Sequence, residues 1–129
     1  LPFYGQGMNA GFEDCTVLLE LMDRYGDDWE LIFCEFEQQR KPDGDAISTL
    51  AELNFTEIRD KVADPVFLER KKIEKELHKL YPRQFVPVYE MVSFTHVPYH
   101  TAMRSVAAQD KLLSRIMNEG DFFVKMNNK

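Results

Sequence analysis

The sequence has little cysteine and histidine, and it has no long apolar run. Its 129 residues include two cysteines and three histidines, and none of them forms the close pairs that zinc sites use. No apolar stretch reaches the roughly 18 residues that a membrane-spanning helix needs. We therefore predict neither a metal site nor a membrane span, and we expect Cys15 and Cys34 to be reduced residues of the core.

Positive charge is also scarce. Lys and Arg together number 16 against 22 Asp and Glu, which gives a net charge of -6. A nucleic-acid surface needs a cationic patch to contact phosphates, so nucleic acid is not a predicted partner. The densest basic run, 70–72, is interleaved with Glu69 and Glu74, and it is typical of a solvated helix face.

The composition is that of a globular domain, with 44% hydrophobic and 29% charged residues. Apolar residues recur with a helical period through most of the chain, which predicts an all-α fold. Stretch 85–94 also fits a strand, but Pro87 favours a short helix. Pro42, Asp43 and Gly44 predict a break between two helices. The predicted helices cover residues 10–25, 28–41, 45–61, 65–81, 87–94 and 98–120.

A glycine turn, Gly5-Gln6-Gly7-Met8-Asn9, leads directly into the first predicted helix. The first backbone amides of a helix lack partners inside it and favour negative or polarised groups. The turn is neither a Walker A loop nor a dinucleotide-binding fingerprint. On the residues alone, a tight turn that begins a core helix is the preferred interpretation, and a cofactor cradle is the alternative.

The complete string from Pro2 to Cys15 resembles a segment of the kynurenine 3-monooxygenases, which are flavin-dependent aromatic hydroxylases. The resemblance continues more weakly to His100. Tyr4 departs from the family's pattern, which more often has Phe or His at this position. The resemblance implies that the glycine turn binds FAD and that Pro2 and Phe3 face the substrate. The implied flavin-contacting residues are Gly5, Gln6, Gly7, Met8 and Asn9.

Asn54 and Tyr89 are polar residues within apolar patterns. A buried amide or phenol needs a hydrogen-bond partner, and on the residues alone both are best explained as core residues bonded to their neighbours. The resemblance implies instead that Asn54 and Tyr89 hold the amino-acid end of the substrate. It assigns no catalytic acid or base to this chain.

The resemblance predicts the C-terminal, helical part of an α/β FAD-dependent monooxygenase that converts kynurenine with NADPH and O2. Its organisation would be a flavin-contacting loop at 1–9, a helical domain at 10–120 and a tail at 121–129. The chain opens at Leu1 in an apolar, Gly-rich stretch, and we expect it to be cut from a larger protein. The alternatives are a hydroxylase of another anthranilate-like ring and a helical interaction domain without a cofactor.

Three further expectations follow from this assignment. The isolated chain should be inactive and should not retain FAD, because it holds only one side of the flavin site. It should self-associate through the Leu1 to Met8 end, whose apolar residues the rest of the enzyme would cover. Eukaryotic members of the family end in a membrane anchor, whereas the longest apolar run after Gly120 is 122–124, so a cytoplasmic protein is expected.

Overall fold

The computed structural model describes residues 4–61 and 63–119. The described part is helical and contains no strand, as the periodicity predicts. Pro2 and Phe3, which are predicted to face the substrate, lie outside the described residues, and so do Gly120 and the tail. The helices are α1 (Gly7–Tyr25), α2 (Trp29–Lys61), α3 (Pro65–Leu80), α4 (Val88–Phe94) and α5 (Tyr99–Glu119).

Local capping explains most helix boundaries. Gly26 ends α1 at a φ of 61°, and its amide donates to the Met22 carbonyl, as glycine caps commonly do. The Asp64 carboxylate accepts the amide of Val66 at 2.9 Å, and Pro65 occupies the first turn of α3, where its missing N–H costs nothing. The short helix α4 confirms the helical interpretation of stretch 85–94.

The predicted break at Pro42, Asp43 and Gly44 is wrong, because α2 runs through it without interruption. Proline inside a helix removes one backbone hydrogen bond and crowds the preceding turn, at a cost of about 3 kcal/mol. Long-range contacts on either side offset that cost. Arg40 binds Asp14 of α1, and Asp43 binds His100 of α5, so α2 is held against α1 just before Pro42 and against α5 just after it.

The core forms around α2 and α5, which contact each other, while α1 packs on α2 and both α3 and α4 pack on α5. One buried cluster joins α2, α4 and α5, and a second joins α3 with α5. The first cluster consists of Ala46, Leu50, Val92, Tyr99 and Ala102. The second consists of Ile73, Leu77, Phe85 and Leu113. Leu50 of the first cluster also lines a cleft between α2, α3, α4 and α5.

Several residues predicted to face the core are exposed instead. Cys15 and Cys34 are free, as expected, but both are exposed, so their assignment to the core is wrong. Phe12 of α1 is 64% exposed and Phe33 of α2 is 57% exposed. Leu21 is the buried residue of α1, and Ile32 is the buried residue of the first part of α2. Among the described helices α1 contacts only α2 closely, so the remaining apolar faces there stay exposed.

The predicted self-association surface at Leu1 to Met8 lies outside the described residues for positions 1–3, but Met8 is 71% exposed, and further exposed apolar residues follow it on α1. Phe12 and Leu19 lie on α1 and are 64% and 61% exposed, and monomeric proteins rarely leave large apolar patches in water. Light scattering of the purified chain should show a dimer or larger species. The double variant Phe12→Gln/Leu19→Gln should shift the distribution towards monomer, whereas Gln39→Ala on the exposed face of α2 should not. A strictly monomeric, folded wild-type chain would contradict the prediction.

Gly44 gives a second prediction, on stability. It lies inside α2, and a Cβ added there would meet no atom within 4 Å. Gly44→Ala should therefore raise the free energy of unfolding by about 0.5–1 kcal/mol, since alanine favours a helix over glycine by that amount. Gly26→Ala is the matched control with the opposite sign, because Gly26 has a φ of 61° that disfavours a Cβ. Urea unfolding followed by circular dichroism measures both; a less stable Gly44→Ala variant would argue against the continuous helix.

Candidate functional site

The glycine turn lies at the N-terminus of α1. The helix begins at Gly7, three residues earlier than predicted, so Gly7, Met8 and Asn9 form its first turn and not a separate loop. The backbone amides of these three residues have no acceptors within the helix, and the side chain of Gln6 does not cap them. A Cβ added at Gly7 would meet no atom within 4 Å. This end of α1 can therefore present backbone donors to a flat or negatively polarised ligand.

Side-chain contacts hold the glycine turn in place. The side-chain amide of Asn9 donates to the side-chain oxygen of Gln6 at 2.7 Å, and the Tyr99 hydroxyl donates to the same oxygen at 3.3 Å. Tyr99 is 5% exposed and begins α5. The side chains of Gln6 and Asn9 thus bond within the protein, so the groups that the turn can still offer are its backbone amides. Gly5, at a φ of 66°, permits the sharp approach of the chain to α1.

Asn54 and Tyr89, predicted from the resemblance, line one cleft together with Tyr4. The cleft has a volume of about 600 Å³ and is bordered by α2, α3, α4 and α5. Asn54 comes from α2 and Tyr89 from the first turn of α4. The fold thus brings together two residues that lie far apart in the sequence, and it places them beside the residue that precedes the glycine turn.

An aromatic stack forms one side of the cleft. The rings of Tyr4 and Tyr89 stack with their centroids 5.5 Å apart, and Phe94 contacts Tyr89 edge-on at 6.2 Å. Burial, and after it the negative charge of Glu57, raises the pKa of Tyr4 to about 12. The Tyr4 phenol therefore stays protonated at neutral pH and can donate a hydrogen bond.

Charged side chains form the opposite side of the cleft, on α3. Arg70 pairs with Asp110 of α5 and with Glu74, and Lys71 pairs with Glu74 at 3.0 Å and with Glu57 at 3.7 Å. The interpretation of this basic run as a fully solvated face is wrong for Arg70, whose side chain is 24% exposed. The partial burial of Arg70 could not be predicted from the sequence, because its partner Asp110 lies on another helix and no local pattern links the two residues.

A partly buried ion network connects α1, α2 and α5. Arg40 donates to Asp14 at 2.6 Å and to Glu13 at 3.1 Å, both on α1. Burial alone would lower the pKa of Arg40, but the hydrogen bonds and charges of Asp14 and Glu13 outweigh it and raise the pKa. Asp43 accepts both the backbone amide and the ring Nδ1 of His100, at 2.8 Å and 2.7 Å. The network fixes the start of α5 against α2 and α1.

Other kinds of site find no support within the described residues. No group of three His, Cys, Asp or Glu side chains there could hold a metal ion. No helix of residues 4–61 and 63–119 is long and apolar enough to cross a membrane. The cytoplasmic location stays a prediction.

The fold and site together define a class of protein segment. It is a helical segment with backbone donors at a helix N-terminus and a cleft lined by tyrosine, asparagine and ion-paired side chains. Tyr4 lines the cleft and precedes the turn in the chain, whereas Gln6 and Asn9 line a separate pocket. Such a segment can supply part of a binding site for a flat cofactor and an aromatic, charged small molecule.

Comparison with known proteins identifies the relatives of this segment. The chain is 54% identical over 118 residues to a kynurenine 3-monooxygenase of Cytophaga hutchinsonii, a match that covers 91% of this chain and 26% of that protein. It is 48% identical over 116 residues to the Myxococcus xanthus protein of the same name, covering 90% of this chain and 25% of that protein. For the Sus scrofa kynurenine 3-monooxygenase the identity is 46% over 114 residues, covering 88% of this chain and 24% of that protein. No protein-family model matches the chain.

The chain is therefore a homologue of part of the kynurenine 3-monooxygenases, which confirms the resemblance predicted from the sequence. It spans about a quarter of the length of these relatives. Tyr4, Asn54 and Tyr89 all belong to the described residues, whereas Pro2 and Phe3 do not.

Proposed function

We propose that this chain forms the C-terminal part of an enzyme that hydroxylates kynurenine to 3-hydroxykynurenine, and that it supplies part of the flavin and substrate pocket. The observation that carries the proposal is that Asn54 and Tyr89 line one cleft together with Tyr4, the residue that immediately precedes the glycine turn. Gln6 and Asn9 of the turn line a separate pocket. Relatives named kynurenine 3-monooxygenase support the choice of substrate. A related anthranilate-like ring is the alternative substrate.

In this proposal the cofactor is FAD, held by the glycine turn. The backbone amides of Gly7, Met8 and Asn9 would donate to the polarised edge of the flavin ring, and Gly5 and Gln6 would line the site. The open space beside Gly7 fits a flat ring that approaches the backbone. When bound and reduced by NADPH, FAD would supply the chemistry with O2, and the protein would supply position and exclusion of water.

The amino-acid end of kynurenine would lie in the cleft. It carries a carboxylate and an ammonium group, and the cleft offers partners for both kinds of charge. The amide of Asn54 and the phenol of Tyr89 can donate to the carboxylate. Glu57, whose side chain is 33% exposed and pairs with Lys71 at 3.7 Å, is a carboxylate near the same position. The cleft therefore suits a zwitterionic ligand better than a purely apolar one.

The test is an assay of the complete natural protein that carries this chain. With NADPH and O2, it should form 3-hydroxykynurenine from kynurenine, identified by mass spectrometry. Anthranilate and other ring amines, supplied separately, should be poor substrates. Efficient turnover of anthranilate in place of kynurenine would support the alternative substrate, and absence of flavin from the complete protein would support a helical interaction domain.

The isolated chain gives a separate prediction about the cofactor. It should purify without FAD and show no hydroxylation, because it lacks contacts for most of the flavin molecule. Absorbance near 450 nm, measured against the protein concentration, tests this directly. The complete protein, purified in parallel, is the positive control. A stoichiometric flavin signal from the isolated chain would mean that these helices hold the whole binding site.

A further inference from the structure

Tyr4 occupies a position between the two parts of the proposed pocket. It precedes the glycine turn in the chain, it lines the cleft, and its ring stacks on Tyr89 at 5.5 Å. In the proposed function the ligand extends from the turn into this cleft, which Tyr4 shares with Asn54 and Tyr89. The residue is half-buried, so its ring is fixed by packing while its phenol remains next to the open space of the cleft.

Tyr4 can act as a hydrogen-bond donor in the cleft. Burial and the negative charges of Glu57 and Glu74 raise the pKa of its phenol and keep it protonated. Arg70 and Lys75 also line the cleft, and Lys71 is paired with both carboxylates. A protonated phenol donates a hydrogen bond to a neutral acceptor such as a ketone.

The chemistry of kynurenine supplies one neutral acceptor at the required place. Its ketone lies between the aromatic ring and the amino-acid end. If the ring is next to the glycine turn and the amino-acid end is next to Asn54, the ketone falls between them, where Tyr4 stands.

We propose that Tyr4 is a specificity-determining residue whose hydroxyl donates a hydrogen bond to the aryl ketone of the bound substrate, while its ring positions Tyr89. This inference rests on the proposed function. It adds to that function a recognition element for the ketone, one that separates kynurenine from ring amines without a carbonyl in the side chain. A hydrogen-bonding site rejects an analogue that lacks the matching group more strongly than an apolar site does.

The test combines two variants with two ligands in the complete protein. The ligands are kynurenine and an analogue in which a methylene group replaces the ketone carbonyl. Equilibrium dissociation constants come from isothermal titration calorimetry, and KM and kcat are measured alongside. Tyr4→Phe keeps the stack on Tyr89 and removes only the hydroxyl. Tyr81→Phe is the control, because Tyr81 is 50% exposed and does not line the cleft.

Tyr4→Phe should weaken kynurenine binding about three- to tenfold, the effect of one lost neutral hydrogen bond, and should leave binding of the methylene analogue unchanged. Tyr4→Ala, which also removes the stack, should weaken both ligands. Equal effects of Tyr4→Phe on the two ligands, or no effect on either, would overturn the inference. A wild-type protein that does not bind kynurenine would instead overturn the proposed function, so the two failures are distinguishable.

Discussion

Replacing Asn54 with alanine in the complete protein is expected to raise the KM for kynurenine about tenfold or more. Asn54 lines the cleft and is half-buried. Hydrogen bonds to charged groups contribute about 1.5–3 kcal/mol, and alanine removes any that this amide makes to the ligand carboxylate. Since RT is about 0.59 kcal/mol, even the lower figure corresponds to more than a tenfold change in affinity.

Replacing Tyr89 with phenylalanine should also raise the KM for kynurenine, but by less than Asn54→Ala does. Phenylalanine keeps the stack on Tyr4 and the edge contact with Phe94, so only the hydroxyl is lost. Steady-state kinetics gives KM, and reoxidation of the reduced flavin without substrate should be nearly unchanged in both variants. Asn118→Ala, at an exposed site on α5 outside the cleft, is the control. An unaltered KM in both variants would remove these residues from the substrate site.

The second substitution with a large expected effect is at Asp43, and it should change the stability of the fold. Asp43 is 8% exposed, it accepts two hydrogen bonds from His100, and its other oxygen lies 3.7 Å from Arg40. Asp43→Ala should lower the free energy of unfolding by about 1–3 kcal/mol, because the ring of His100 is left without its acceptor, while Arg40 keeps its pairs with Asp14 and Glu13. The start of α5 also loses the acceptor of its His100 amide.

Chemical unfolding of the chain, followed by circular dichroism, measures this effect. Asp43→Asn should cost less than Asp43→Ala, because a carboxamide oxygen can still accept the His100 amide. Asp45→Ala is the matched control two residues away. Its side chain is 69% exposed and pairs only with the exposed Lys41 among the described residues, so no measurable change is expected. If Asp43→Ala matched the control, the network would contribute little to the fold.

The helices were predictable from the sequence where their signals are local. Asp64 with Pro65 and the glycine at position 26 mark boundaries that the structure reproduces. Pro42 and Gly44 gave an equally clear local signal for a break, and it was wrong. The contacts that offset this local signal, from Arg40 to α1 and from Asp43 to α5, join residues that are 26 and 57 positions apart in the sequence. No short-range pattern contains that information.

Burial was harder to predict than helicity. Trp29, Ile32 and Phe33 form a regular apolar stripe, yet only Ile32 is buried, at 0% exposure, while Trp29 and Phe33 are 44% and 57% exposed. The stripe is wider than the surface that α1 offers to α2 within the described residues. A hydrophobic pattern indicates which face of a helix is apolar, but the extent of burial depends on how many neighbours are present.

The candidate site was predictable only in part. The resemblance named Asn54, Tyr89 and the glycine turn, and the fold brings the first two into one cleft. The contacts of Tyr99 with Gln6 and of Arg70 with Asp110 were not predictable, because each joins residues from separate helices. Tyr4 was noted only as a departure from the family's pattern, and its stack on Tyr89 depends on the packing of α4.

The continuity of α2 has a consequence for how its length can vary. Arg40, which is anchored to α1, and Asn54, which lines the cleft, are separated by 14 residues of unbroken helix, or about 21 Å at 1.5 Å per residue. Deleting one residue between them would draw the two ends together by about 1.5 Å and rotate one relative to the other by about 100°. Asn54 would then leave the cleft while Arg40 stayed anchored to α1. A flexible loop absorbs an insertion or deletion, but this helix transmits it, so the interval from Arg40 to Asn54 should not tolerate a change of length.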